Sequence, residues 1–179
     1  AKLRAELGCR LAHVEAGLRS GDWSMPEEVN RVLTDRLADL LLTPSRDAHE
    51  HLASEGIPTE RVVFVGNVMI DTLLAHLPEA RARDVPGRLG LVRDGYVVTT
   101  LHRPSNVDDP NTLRATLEAL ACIAEATPVV FPIHPRTRKN AEVFGLEREL
   151  AALMAIDPLG YVDMLSLSDG AAVCLTDSG

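Results

Sequence analysis

The chain has 179 residues, 46% of them apolar and 3% aromatic, and its 18 Lys and Arg against 26 Asp and Glu give a net charge of -8. That is enough chain and apolar content for an ordinary globular core, in one domain or in parts of two. The acidic balance and the scarcity of rings argue against a nucleic-acid partner, and no apolar run approaches the roughly 20 residues that span a bilayer. Cys9, Cys122 and Cys174 stand far apart with no ligand spacing. They read as reduced, buried thiols of a cytoplasmic protein. No signal peptide is visible.

In chain order, AKLRAEL reads as the tail of a helix without its start, and the apolar run Cys9 to Val14 as a short buried strand. The connection that follows, HVEAGLRSGDWSMPEEVNR, carries Glu15, Arg19 and Asp22, with Gly17 and Gly21 to let the backbone turn. In an open α/β sheet, ligands bind at the loops leaving the carboxyl ends of strands. Glu15 directly follows an apolar strand, where a carboxylate is costly to bury unless something pairs with it or uses it. Glu27 and Glu28, behind Pro26, also suit a first helical turn, so a structural role is open for both.

A helix is predicted from Pro26 to about Leu40, with Val29, Val32, Leu33, Leu37 and Leu40 as its inner face and Asn30, Arg31 and Asp35 on the other. A strand over 40–43 and a helix capped by Ser45 and closed by Gly56 come next. His49 and His51 lie on that helix two residues apart, on different faces, and read as plain surface histidines. A strand over 61–65 ends at Gly66 and Asn67. Helix is expected over 69–77 and an irregular connection over 78–95, which holds Pro78 and Pro86.

The strand YVVTTL, 96–101, delivers His102 and Arg103 to a polar loop, where Pro104 is expected to stop the chain from running smoothly into a helix. A guanidinium at a strand's end suits a phosphate or carboxylate. The pattern repeats after a helix over 111–126, when the strand 129–133 delivers His134 and Arg136. For His134 the flanking Pro132 and Pro135 also fit a rigid turn. Residues 137–152 are helical with a break at Gly145, followed by a strand over 153–156, a helix over 160–167 and a strand over 171–176. The chain ends at Asp177, Ser178 and Gly179, a lead into a tight turn whose backbone amides suit phosphate. Strand and helix alternate with no hairpin signal, which predicts an α/β protein with parallel sheets.

The strings HVEAGLRSG, PEEVNR, VGNVMIDTLL, TLHRPSNVD, FPIHPR and LTDSG, in that order across the whole chain, resemble the signature of the non-hydrolysing UDP-N-acetylglucosamine 2-epimerases. The loop between Gly21 and Pro26 is shorter than in many members. The resemblance implies two Rossmann-like domains in a GT-B-like arrangement, both incomplete in this chain: residues 1–66 as the end of the N-terminal domain and 67–179 as most of the C-terminal, UDP-binding one, hinged at Gly66 and Asn67. It implies interconversion of UDP-N-acetylglucosamine and UDP-N-acetylmannosamine by elimination and re-addition of UDP, with no metal or redox cofactor. Glu15, Glu27 and His102 take the catalytic places. Arg31, Arg103, His134, Arg136, Ser178 and Gly179 take the substrate-binding ones. It further implies a homodimer, in some members a regulatory UDP-N-acetylglucosamine, and a role in cell-envelope polysaccharide synthesis. Two rivals stand beside it: a hydrolysing relative that releases N-acetylmannosamine, and a UDP-sugar-binding module like those of glycosyltransferases.

Overall fold

The computed structural model describes residue 6 and residues 8–177. The chain divides into two compact units, Ala1–Leu74 and Ala75–Gly179. In the first, β1 (Ala12–Val14), β2 (Leu40–Thr43) and β3 (Val62–Phe64) form a parallel sheet in the order β1-β2-β3. The helices α1 (Pro26–Leu37) and α2 (Arg46–Ser54) make the crossovers. Register pairs His13 with Leu41 and Leu42 with Val63. The core gathers Ala16, Ala38, Leu41, Leu52 and Ile57. Ser45 accepts the Ala48 amide at 3.3 Å as the α2 cap, and Gly56 ends that helix at φ +74°.

The second unit holds a four-stranded parallel sheet in the order β6-β5-β4-β7, made of β4 (Val97–Thr100), β5 (Val129–Pro132), β6 (Met154–Ile156) and β7 (Val173–Thr176). Its central strands are buried on both faces, as parallel sheets require. One core cluster is built on Leu113, Leu117, Phe131 and Leu146, the other on Tyr96, Val98, Val130 and Leu167. The helix α3 (Val68–Arg83) leads into this unit and α4 (Val85–Arg88) follows. Next come α5 (Pro104–Val107) and α6 (Pro110–Ala124) after β4, α7 (Pro135–Val143) and α8 (Glu147–Ala151) after β5, and α9 (Tyr161–Asp169) before β7. The expected α/β class with parallel sheets is what forms. Among the described residues no helix is long and apolar enough to cross a membrane.

Several local expectations are corrected. β1 is shorter than read and lies at the edge of its sheet, with Ala12 and Val14 exposed. The inner face of α1 is not the apolar one: Leu33 and Leu37 are exposed while Glu28 and Asp35 are buried, because hydrogen-bond donors from the preceding loop converge on these two carboxylates. α3 continues through Pro78. Proline removes one helical hydrogen bond there, and the continuation is tied down by buried Ala80 and by Arg81 on Asp169 and Arg83 on Asp163. Pro104 starts a helix instead of preventing one, since a first-turn position needs no amide hydrogen. The three cysteines are exposed, not buried.

Candidate active site

Each sheet presents its carboxyl ends as one row of loops; Glu15, His102, Arg103 and His134 follow strand ends, Arg136 stands in the first turn of α7, and Glu27 and Arg31 lie on α1. In the first unit, Glu15 leaves β1 in a left-handed conformation at φ 65°. Such a backbone costs a non-glycine residue on the order of 1–3 kcal/mol and persists only where neighbours over-determine it. They do: the Ala16 amide donates to Leu42 O at 3.0 Å and the Gly17 amide to Asp35 Oδ2 at 3.1 Å. Gly17 is itself at φ +80°, and a Cβ there would lie 2.3 Å from the carbonyl oxygen of Ala48, so no other residue fits.

The carboxylates of this unit sort into two groups. Asp35 is fully buried and receives His13 Nδ1 at 2.5 Å, the Gly17 amide and an Arg19 guanidinium nitrogen at 2.8 Å. Arg19 also forks onto Glu55 at 2.7 and 2.9 Å. This fork holds the Glu55 carboxyl below the usual carboxylate range and raises the guanidinium above its ordinary value. Glu28, also buried, accepts the amides of Ser20 at 2.9 Å and Gly21 at 3.0 Å, and the Ser20 amide is the chief cause of its lowered pKa. Arg31 Nη1 lies 3.7 Å from Glu28. Glu15, half-buried, and Glu27, exposed, make no side-chain hydrogen bond or ion pair among the described residues. The loop's acids are thus divided into fixed ones and available ones.

Asp35 and Glu55 escaped the sequence reading, and so did the role of His51, whose Nδ1 donates to Gly17 O at 3.0 Å. His51 is therefore not a plain surface histidine. Glu27, Arg31 and Asp35 do recur every four residues along α1, but that spacing says nothing of the loop and strand partners that bury Asp35, nor of Glu55 and His51 on α2 and its cap.

In the second unit, His102 and Arg103 follow β4 and Asp177 follows the adjacent β7. Asp177 Oδ2 accepts the Arg103 amide at 2.8 Å, the His102 amide at 3.0 Å and Asn106 Nδ2 at 3.2 Å. Burial pushes the Asp177 carboxyl up, and these donors outweigh it and pull the pKa below the ordinary value. Its Oδ1 stands 2.9 Å from His102 Nδ1 without hydrogen-bond alignment, an ion-pair contact when that ring is protonated. The His102 ring and the Arg103 side chain are exposed. Asp177, expected only as the lead into a tight turn, is a further residue whose organising role the sequence does not signal.

After β5, His134 caps α7, its Nδ1 accepting the Arg136 amide at 3.2 Å. Arg136 pairs with Asp108, which also takes Asn140 Nδ2 at 3.1 Å. This joins the loops after β4 and β5 into one rim. Beside it, at the ends of β5 and β6, lies a groove of about 340 Å³ lined by Ile133, Pro135, Arg138, Lys139, Glu142 and Asp157. Ser178 and Gly179 lie outside the described residues.

The parallel α/β fold agrees with what the chain is similar to. Residues 4–179 match the family model described as UDP-N-acetylglucosamine 2-epimerase. A UDP-2,3-diacetamido-2,3-dideoxy-D-glucuronate 2-epimerase from Pseudomonas aeruginosa is 42% identical over 179 residues, 98% of this chain and 48% of that protein. A UDP-N-acetylglucosamine 2-epimerase from Methanocaldococcus jannaschii is 38% identical over 187 residues, 100% of this chain and 51% of that one. A crystal structure of that archaeal enzyme with UDP-GlcNAc and UDP superposes with a TM-score of 0.81 at 37% identity, over 99% of this chain and 51% of the other. The chain spans about half the length of these relatives. With a family match running from residue 4 to the last residue, this chain belongs to the UDP-N-acetylglucosamine 2-epimerase family.

Proposed function

We propose that the protein interconverts UDP-N-acetylglucosamine and UDP-N-acetylmannosamine by inversion at C2, without hydrolysis. In the forward direction a base removes the C2 proton while the bond from C1 to the diphosphate oxygen breaks, its electron pair leaving with UDP and a double bond forming between C1 and C2. UDP then re-adds at C1 and a proton is delivered to the opposite face of C2. No electrons are gained or lost over the cycle, and the chemistry calls for no metal or redox cofactor. It calls for two acid/base groups able to exchange protons.

The observation that carries this reading is the division of the acids around the β1 to α1 loop. Glu28, Asp35 and Glu55 are committed to donors, while Glu15 and Glu27 carry none among the described residues. Glu15 and Glu27 are assigned the proton transfers, and Arg31 a contact to the sugar nucleotide. His102, whose Nδ1 side faces Asp177, is assigned to the active site or the leaving diphosphate. Arg103, His134 and Arg136 are assigned to the nucleotide, with Ser178 and Gly179 on the diphosphate. Residues 1–66 and 67–179 are read as parts of two Rossmann-like domains hinged at Gly66 and Asn67. The enzyme is read as a cytoplasmic homodimer, with UDP-N-acetylglucosamine as its regulator as well as its substrate.

The Pseudomonas relative favours a second substrate, UDP-2,3-diacetamido-2,3-dideoxy-D-glucuronate, with the same inversion at C2. Comparing kcat/KM for the two sugars chooses between them. The chemistry itself is tested by Glu15→Gln. This change should lower exchange of the C2 hydrogen with solvent by about 10²-fold or more while leaving UDP affinity intact. Exchange at the full rate would remove Glu15 from the proton-transfer machinery.

A further inference from the structure

We propose that Asp35 is a positioning residue for this reaction, holding the Glu15 loop in fixed register against the helix that bears Glu27. The inference rests on the epimerase reading above. Asp35 is fully buried, and its three partners come from both sides of Glu15: His13 on β1 at 2.5 Å, then the Gly17 amide at 3.1 Å and Arg19 at 2.8 Å in the loop. Glu15 makes no side-chain hydrogen bond or ion pair of its own among the described residues, so its backbone is placed through these neighbours.

Asp35 also stands four residues after Arg31 and eight after Glu27 on α1. One carboxylate therefore ties the segment carrying one available acid to the helix carrying the other. A second layer backs it: Glu55 grips the outer edge of Arg19 at 2.7 and 2.9 Å, and His51 donates to Gly17 O at 3.0 Å.

Stability alone is a poor reason for this arrangement. A buried carboxylate loses its hydration, and well-packed apolar side chains of similar volume often serve stability as well or better. What an apolar residue would not supply is three directional contacts with fixed lengths. Proton transfer depends on such placement, since a shift on the order of 1 Å in a reacting group costs about 10²-fold in rate. The nucleotide contacts assigned to the second unit, those of Arg103, His134 and Arg136, do not depend on these bonds to Asp35.

The test measures deuterium incorporation at C2 of UDP-N-acetylglucosamine in heavy water, with kcat and KM, beside UDP affinity by calorimetry, for the wild-type protein, Asp35→Asn and Glu55→Gln. Asp35→Asn keeps the shape and removes the charge. It should lower kcat for exchange by about 10-fold or more, with KM and UDP affinity within about 2-fold of wild type. Glu55→Gln should shift kcat the same way by a smaller factor. Wild-type kcat in folded Asp35→Asn, or a parallel loss of kcat and UDP affinity, would overturn the proposal. Should Asp35→Asn fail to fold, Glu55→Gln decides, and an unchanged kcat there overturns it. A wild-type protein that binds UDP yet exchanges nothing at C2 instead overturns the underlying epimerase reading.

Discussion

Glu27 and Glu28 are adjacent in sequence and opposite in environment. Glu28 is buried under the amides of Ser20 and Gly21, whereas Glu27 is exposed and without a polar partner among the described residues. Helix position alone does not tell the two apart, because both suit a first helical turn and a helix start says nothing about which side chain the preceding loop will bind; the family resemblance is what singles out Glu27. The contrast predicts a clean separation by mutation. Glu27→Gln should reduce epimerisation by about 10²–10⁴-fold with an unchanged thermal midpoint. Glu28→Gln should lower the thermal midpoint, because a neutral amide accepts the two backbone N–H groups more weakly and turns donor hydrogens toward them. Activity assays paired with melting curves check both, and the reverse pattern would exchange the two roles.

At the scale of elements, β4 and α9 are joined by one buried hydroxyl. Tyr96 Oη donates to Leu167 O at 2.5 Å, in the last turn of α9, where carbonyls lack helical partners. Burial pushes its ionisation up to about 12, so it stays a donor through the ordinary pH range. Tyr96→Phe should destabilise the protein by about 1–3 kcal/mol, the cost of leaving a buried carbonyl unpaired, measurable by denaturant unfolding. An unchanged midpoint would mean that water replaces the hydroxyl. Strands, crossover helices and most boundaries were legible in the sequence because apolar runs, Ser45, Gly56 and Gly145 act locally. The face of α1 was not. Periodicity put Leu33 and Leu37 inside, yet the buried positions are Glu28 and Asp35, whose partners lie in a loop and on a strand that spacing along one helix does not register. Pro78 was misread for a related reason: the contacts that carry α3 past it come from Asp163 and Asp169, more than eighty residues later. The positions of His102, Arg103, His134 and Arg136 at strand ends were legible, while Asp177 and Asp35, which organise backbone and side chains around such residues, were not.

At the scale of the whole molecule, a chain of net charge -8 commits several of its cations to carboxylates, Arg19 after β1 and Arg136 after β5, and Arg81, Arg83 and Arg93 away from the strand ends. Native partners make stability depend on acid, arginines for Glu55 and Asp169 and chiefly backbone amides for Glu28, Asp109 and Asp177. Glu28, Glu55, Asp109, Asp169 and Asp177 all have native pKa values lowered from ordinary ones of 3.8 or 4.5. A lowered native value stabilises the fold above the unfolded pKa and is lost as pH falls through the native one. Their contribution should hold steady from pH 7 to about 5 and fall away below about 4.5, which thermal melts across that range would register. A contribution that grew on acidification would contradict the hydrogen bonds and ion pairs made by these carboxylates.

The central claim is inversion at C2, and proton NMR of the protein with UDP-N-acetylglucosamine in heavy water tests it most directly. Deuterium at C2 appearing together with UDP-N-acetylmannosamine is the result predicted here. Free N-acetylmannosamine and UDP would move the protein to the hydrolysing class, and a substrate that binds but keeps its C2 proton would contradict the account.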